Sequence, residues 1–146
     1  MSSIDAVFAY GTLQLDEVMQ AVTGSSFEAL PAALEGYRRN RLVDRSYPGV
    51  APVEGAVTRG CVYRGIDAAT LERLDIFESE IYDRLELTAS LGGDAPQQSL
   101  QVWVYVVAPR HRHLLSHEPW EVAEFMRDHG PGFIESCRRF RAEGVG

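Results

Sequence analysis

Residues 100–108 read LQVWVYVVA, a run that is apolar on both faces of a strand. Successive strand side chains point to opposite sides, so Val102, Val104 and Val106 share one face and Trp103, Tyr105 and Val107 the other. Two apolar faces need two covers, which places this strand at the centre of a sheet or inside a barrel. Just upstream, RLELTASL alternates, with Leu85, Leu87, Ala89 and Leu91 on one face, and Gly92-Gly93-Asp94 begins the turn into the central strand.

The rest of the chain alternates strand and helix signals. A short apolar strand, Ala6 to Tyr10, runs into Gly11-Thr12 and then into a helix. In that helix Leu15, Val18, Met19 and Val22 share a face, Asp16 is the candidate cap and Gly24 the stop. AALEGYRRNRLV (32–43), with a bulge expected at Gly36, and GCVYRGI (60–66) read as strands. The Pro- and Gly-rich stretch 46–60 reads as a long loop, with Tyr47 placed to cover a site. DAATLERLDIFE (67–78) reads as a helix capped by Asp67. Beyond Pro109, PWEVAEFMRDHG and PGFIESCRRFRAEG read as two short helices, each opened by Pro and closed near Gly. The expected fold is therefore mixed α+β: one domain, residues 1–146, with a strongly curved or closed sheet and a helical C-terminal segment over 109–146.

Composition narrows the function classes. The 146 residues carry a net charge of −7, which argues against nucleic-acid binding through phosphate neutralisation; the basic clusters at 37–41 and 137–141 read as solvated faces or salt-bridge donors. No apolar run is long enough to cross a bilayer, and MSSIDAVFAY lacks the marks of a signal peptide, so no membrane partner and a cytoplasmic location are expected. Cys61 and Cys137 have no CxxC partner and read as free thiols. His111, His113 and His117 have spacings that offer a metal-hydrolase reading, but no acidic residue stands at HExxH spacing, and His129 is isolated. No metal and no cofactor is expected, and nothing in the pattern assigns an oligomeric state.

One acidic residue stands out. Leu71, Leu74 and Glu78 lie at i, i+3 and i+7 of the second helix, which points Glu78 toward the core. A carboxyl held there is desolvated, its pKa rises, and it becomes a candidate general acid or base. If the helix instead ends a turn early, Glu78 lies in solvent at its end. Glu80 points to the opposite, solvated side, and Asp75, beside the apolar stripe, is placed to cap or to pair with Arg84 or another basic side chain. At the first strand-to-turn junction, the N–H groups after Tyr10 are candidate anion donors.

YGTL (Tyr10 to Leu13), YPGV (47–50) and LERLDIFESEIYDR (71–84), together with the VWVYVV strand, resemble the gamma-glutamylcyclotransferase-like superfamily, in its AIG2-like and gamma-glutamylamine cyclotransferase branch. The resemblance implies a small mixed barrel flanked by helices, and a cyclisation that releases 5-oxoproline from a small-molecule gamma-glutamyl amine or amino acid. It maps the catalytic glutamate onto Glu78 and the substrate-binding turn onto Tyr10, Gly11, Thr12 and Leu13. Tyr82 and the aromatic late in the sheet, Tyr105, are expected to line the same cavity. A non-catalytic binding or interaction module of the same fold is the alternative.

Overall fold

The computed structural model describes residues 4–92 and 98–144. Its strands are β1 (Val7–Ala9), β2 (Ala29–Arg41), β3 (Pro48–Tyr63), β4 (Tyr82–Leu91) and β5 (Gln98–Val107), and its α-helices are α1 (Asp16–Thr23), α2 (Ala68–Glu78) and α3 (Val122–Gly144). The strands close into a barrel in the order β1-β3-β2-β4-β5. β1 completes the closure: it runs antiparallel to β3, with Val7 opposite Tyr63, and parallel to β5, with Val7 opposite Trp103.

β5 is covered on both sides, as its sequence demands. Val102, Val104 and Val106 join Phe8, Tyr10, Leu34, Val50 and Val62 in the barrel interior, whereas Tyr105 and Val107 pack outward with Val7, Val18, Met19 and Leu74 beneath the helices. Each fully buried aliphatic side chain in these layers contributes roughly 1.5–3 kcal/mol by leaving water. Alternation along β4 is less complete: Ala89 is fully buried and Leu87 and Leu91 pack against the barrel interior, but Leu85 remains exposed. The turn expected there begins at Gly92, which has φ +83°; Gly93 and Asp94 lie outside the described residues.

Three expectations need correction. The stretch 46–60 is not a loop: most of it is β3, paired with β2 from Ala29 opposite Tyr63 to Arg41 opposite Pro48. The pairing carries an irregularity: the register shifts between Glu35 and Tyr37, Tyr37 then pairs with Pro52, and Gly36 of β2 and Gly55 of β3 adopt φ +85° and +84°. Gly60 carries no side chain because a Cβ would stand 2.2 Å from the Ala9 carbonyl oxygen of β1. The two C-terminal helices are one, α3, which runs through Pro131. Ile134 and Cys137 are buried in the core, with Phe133 and Phe140 packed against it, and this continuous apolar stripe carries the helix past a residue that removes one of its hydrogen bonds. Lastly, Asp16 is not the cap of α1: Leu15 holds the cap position with no side-chain hydrogen bond, and Asp16 opens the first turn.

Other signals act as read. Asp67 accepts the Thr70 N–H at 2.8 Å and caps α2, and Gly24 ends α1 in the left-handed conformation. Both cysteines are free, Cys137 buried and Cys61 half-buried. Among the described residues no helix is long and apolar enough to cross a membrane.

Candidate active site

A cavity of about 160 Å³ opens where the mouth of the barrel meets the helices, bordered by the end of β1, the start of β3, the end of α2 and the middle of α3. Tyr10, Gly11, Thr12, Leu13, Glu78, Tyr82 and Tyr105 all line it, as does Tyr47, so the structure brings together the residues that the sequence reading assigns to catalysis and substrate binding. Phe77, Ser79, Pro48 and Phe133 line it too; the first three lie within the motifs that carry the family resemblance, and Phe133 lies on the apolar stripe of α3.

The floor is built by β1 and the turn at its end. Alternation puts Phe8 and Tyr10 inside the barrel, and the chain then turns through a 3₁₀ segment, Thr12–Gln14, before α1 begins. α1 therefore starts beyond the floor and carries Asp16 and Glu17 in its own first turn. The amides at the cavity belong to the 3₁₀ turn, and those of Gly11, Thr12 and Leu13 bond to no carbonyl among the described residues. Thr12 is buried, and its hydroxyl has no partner among them either. The turn is pinned from several sides. The Tyr63 hydroxyl donates to the Leu13 carbonyl at 2.7 Å, and Gln14 Nε2 and Arg39 Nη1 donate to the Tyr10 carbonyl at 3.0 and 2.7 Å. At Gly11 a Cβ would stand 3.0 Å from Pro48 Cγ, so the absence of a side chain lets β3 close over the turn.

The wall opposite is the end of α2. Leu74 is fully buried on the face that Glu78 continues, and the helix stops on Glu78 itself. Ser79 then takes φ +70°, ψ −172°, a region almost confined to glycine that costs other residues roughly 1–3 kcal/mol. This sharp exit returns the chain as β4, so that Tyr82 faces the same cavity as Glu78.

Glu78 retains partial solvent contact through the cavity, yet protein surrounds its carboxyl, which has no hydrogen-bond or ion-pair partner among the described residues. Desolvation is uncompensated and pushes its pKa from 4.5 up to about 8. Burial raises the pKa values of Tyr10, Tyr82 and Tyr105, the Asp75 hydrogen bond and charge raise Tyr105 further, and the Glu78 charge adds to all three; burial plus Glu78 pushes Cys137 up to about 12. Such a carboxyl exchanges a proton near neutral pH.

The three tyrosines are committed donors. Tyr10 donates to the Tyr105 carbonyl at 2.6 Å, Tyr82 to the Pro48 carbonyl at 2.7 Å, and Tyr105 to Asp75 Oδ1 at 2.8 Å. They lock the walls and offer ring faces and oxygen lone pairs rather than free protons. Asp75 also accepts from Arg84 Nε at 2.8 Å, one of the roles open to it from the sequence, and the guanidinium carbon lies 4.2 Å from the Trp103 ring centre. The histidines stand elsewhere: the His111 and His113 rings are 6.3 Å apart, His129 packs on Phe125, and none of these residues or His117 lines the cavity. No three His, Cys, Asp or Glu side chains among the described residues gather in a metal-binding arrangement.

Comparison with known proteins agrees with this architecture. Residues 7–122 match the family described as gamma-glutamyl cyclotransferase, AIG2-like. Protein AIG2 B of Arabidopsis thaliana is 31% identical over 134 residues, covering 92% of this chain and 78% of that protein. A solution structure of an Arabidopsis thaliana protein superposes with TM-score 0.68 at 26% identity, over 99% of this chain and 97% of that one. The crystal structure of an AIG2-like protein of Mus musculus shares the fold, with TM-score 0.60 at 24% identity over 82% of this chain and 90% of that one. The barrel, its flanking helices and the matched family model agree: the chain belongs to the gamma-glutamyl cyclotransferase, AIG2-like family.

Proposed function

We propose that the protein cyclises a gamma-glutamyl amine or gamma-glutamyl amino acid, releasing 5-oxoproline and the free amine, with Glu78 as the proton shuttle. The observation that carries this reading is the Glu78 carboxyl, with its pKa raised to about 8, in a cavity whose opposite side is a turn of amides, carboxyl and amides alike having no partner among the described residues.

The substrate contains its own nucleophile. Glu78 takes a proton from the alpha-ammonium, and the freed amine attacks the gamma-carbonyl carbon. Glu78, having passed that first proton to solvent, takes the second from the attacking nitrogen; the oxyanion then collapses, the bond to the leaving nitrogen breaks, and that nitrogen receives this proton, which leaves the lactam nitrogen with one hydrogen. One carboxyl near neutrality serves both roles, because it is neither too weak a base to take these protons nor too weak an acid to give the second one up. The Gly11, Thr12 and Leu13 amides and the Thr12 hydroxyl are the donors for the alpha-carboxylate, and Tyr10, Tyr82 and Tyr105 hold the cavity's shape. Its volume, about 160 Å³, is well below the roughly 300–1,000 Å³ of drug-sized sites and suits the glutamyl unit alone. The leaving amine then extends into the open groove that shares Ser79, Tyr82 and Tyr105 with the cavity wall and adds Asp75, Asp83 and Arg84.

The test is incubation with a panel of gamma-glutamyl amino acids, gamma-glutamyl-epsilon-lysine and simple gamma-glutamyl amines, with 5-oxoproline quantified beside a Glu78→Gln control. Product from the parent and almost none from the variant is expected. A protein that is thermally stabilised by 5-oxoproline yet releases none from any panel member contradicts catalysis and fits a binding module.

A further inference from the structure

Arg39, on β2, is half-buried and has no carboxylate within ion-pair distance among the described residues. A cation withdrawn from water needs compensation. Here its Nη1 donates to two backbone carbonyls, Tyr10 at 2.7 Å and Arg59 at 3.1 Å, and its guanidinium carbon lies 5.6 Å from the Trp120 ring centre. Glu121 acts on it only at longer range. Arg39 does not line the cavity and so reaches the turn from outside it.

The Tyr10 carbonyl and the Gly11 N–H are the two ends of one resonant peptide group. A cation on the oxygen draws electron density from the nitrogen and makes the N–H a stronger donor, and hydrogen bonds in series reinforce one another in a low-dielectric surrounding. That N–H belongs to a residue of the cavity floor and has no acceptor among the described residues. We propose that Arg39 is a positioning residue for the anion-holding turn: it clamps and polarises the Tyr10–Gly11 peptide from behind, strengthening the Gly11 N–H toward a carboxylate in the cavity. This rests on the reading that the substrate's alpha-carboxylate occupies the floor. Gln14 Nε2 shares the same carbonyl but carries no charge, so it holds the turn without supplying the same polarisation.

The experiment uses the ¹⁵N-labelled full chain as parent, Arg39→Lys, Arg39→Gln and Arg39→Met, with the Gly11 amide signal followed before and during titration with 5-oxoproline and with its neutral carboxamide. Without ligand, the Gly11 proton resonance is expected to move upfield in the Gln and Met variants and much less in Lys. The Gln variant still offers an N–H to the carbonyl, which preserves the turn if Met does not fold. Loss of the charge is expected to weaken 5-oxoproline binding roughly tenfold, to leave the carboxamide within about twofold, and to be partly restored by Lys. An unmoved Gly11 signal, or equal loss for both ligands, overturns the role. A parent that binds neither ligand overturns the cyclotransferase reading instead, and the Gly11 shift alone then decides the action of Arg39 on its peptide.

Discussion

Asp75 and Glu78 lie three residues apart on α2, and their carboxyls have opposite surroundings. Asp75 accepts from both Arg84 and Tyr105, while Glu78 accepts from nothing among the described residues and sits in the cavity. One carboxyl is fixed as an acceptor and the other is left without a partner among the described residues, so that under the proposed mechanism a single helix end supplies both a structural and a chemical group.

The free carboxyl costs stability in a pH-dependent way. Its folded pKa of about 8 lies above the ordinary 4.5, so between these values the folded state holds more protons than the unfolded one and stability falls as pH rises. Replacing Glu78 with Gln removes that penalty. We expect urea midpoints of the two proteins to nearly coincide at pH 5 and the variant to be more stable by roughly 2–4 kcal/mol at pH 9, allowing for solvent in the cavity. A difference that does not grow with pH contradicts the raised pKa.

For the fixed carboxyl, Asp75→Ala leaves the Tyr105 hydroxyl and Arg84 without their acceptor. Because the pair is partly solvated, the expected loss is about 1–2 kcal/mol. Asp75→Asn keeps an oxygen for Tyr105 and should recover part of that loss in chemical denaturation.

Ser79 holds its strained backbone for the sake of the turn behind Glu78. Ser79→Gly is expected to raise stability by about 1 kcal/mol, since glycine adopts this conformation freely, while Ser79→Ala should leave stability near that of the parent. If Gly and Ala give equal thermal midpoints, the strain is not there.

Gly60 and Gly132 make a paired test of packing. A Cβ on Gly60 would meet the Ala9 carbonyl oxygen at 2.2 Å, so Gly60→Ala must push β1 off β3; we expect a loss of about 3 kcal/mol and displaced Tyr10 and Gly11 resonances. Gly132, in α3, has open space around it, and Gly132→Ala should add about 0.5–1 kcal/mol.

Local pattern revealed what local physics controls. The doubly apolar β5, the Asp67 cap, the Gly36 bulge and the inward pointing of Glu78 arise from strand alternation, capping chemistry and helical periodicity, and each is present. What the pattern hid depends on partners distant in sequence. Pro48 to Gly60 looks loop-forming until β2 supplies the pairing, and Pro131 looks like a terminus until the stripe through Phe133, Ile134, Cys137 and Phe140 finds the core. That stripe, at i, i+1, i+4 and i+7, was the available sign that α3 closes the site. Arg39 had no such sign within its basic cluster, because its role depends on a carbonyl 29 positions away.

The most direct measurement is the pH dependence of kcat/KM for 5-oxoproline release from the best panel substrate, for the parent and for Glu78→Gln. With Glu78 as the shuttle, the parent profile rises along a limb near pH 8, and the variant loses that limb together with at least about a hundredfold in rate. Release by the variant at the parent rate and with the parent profile contradicts the role assigned to Glu78.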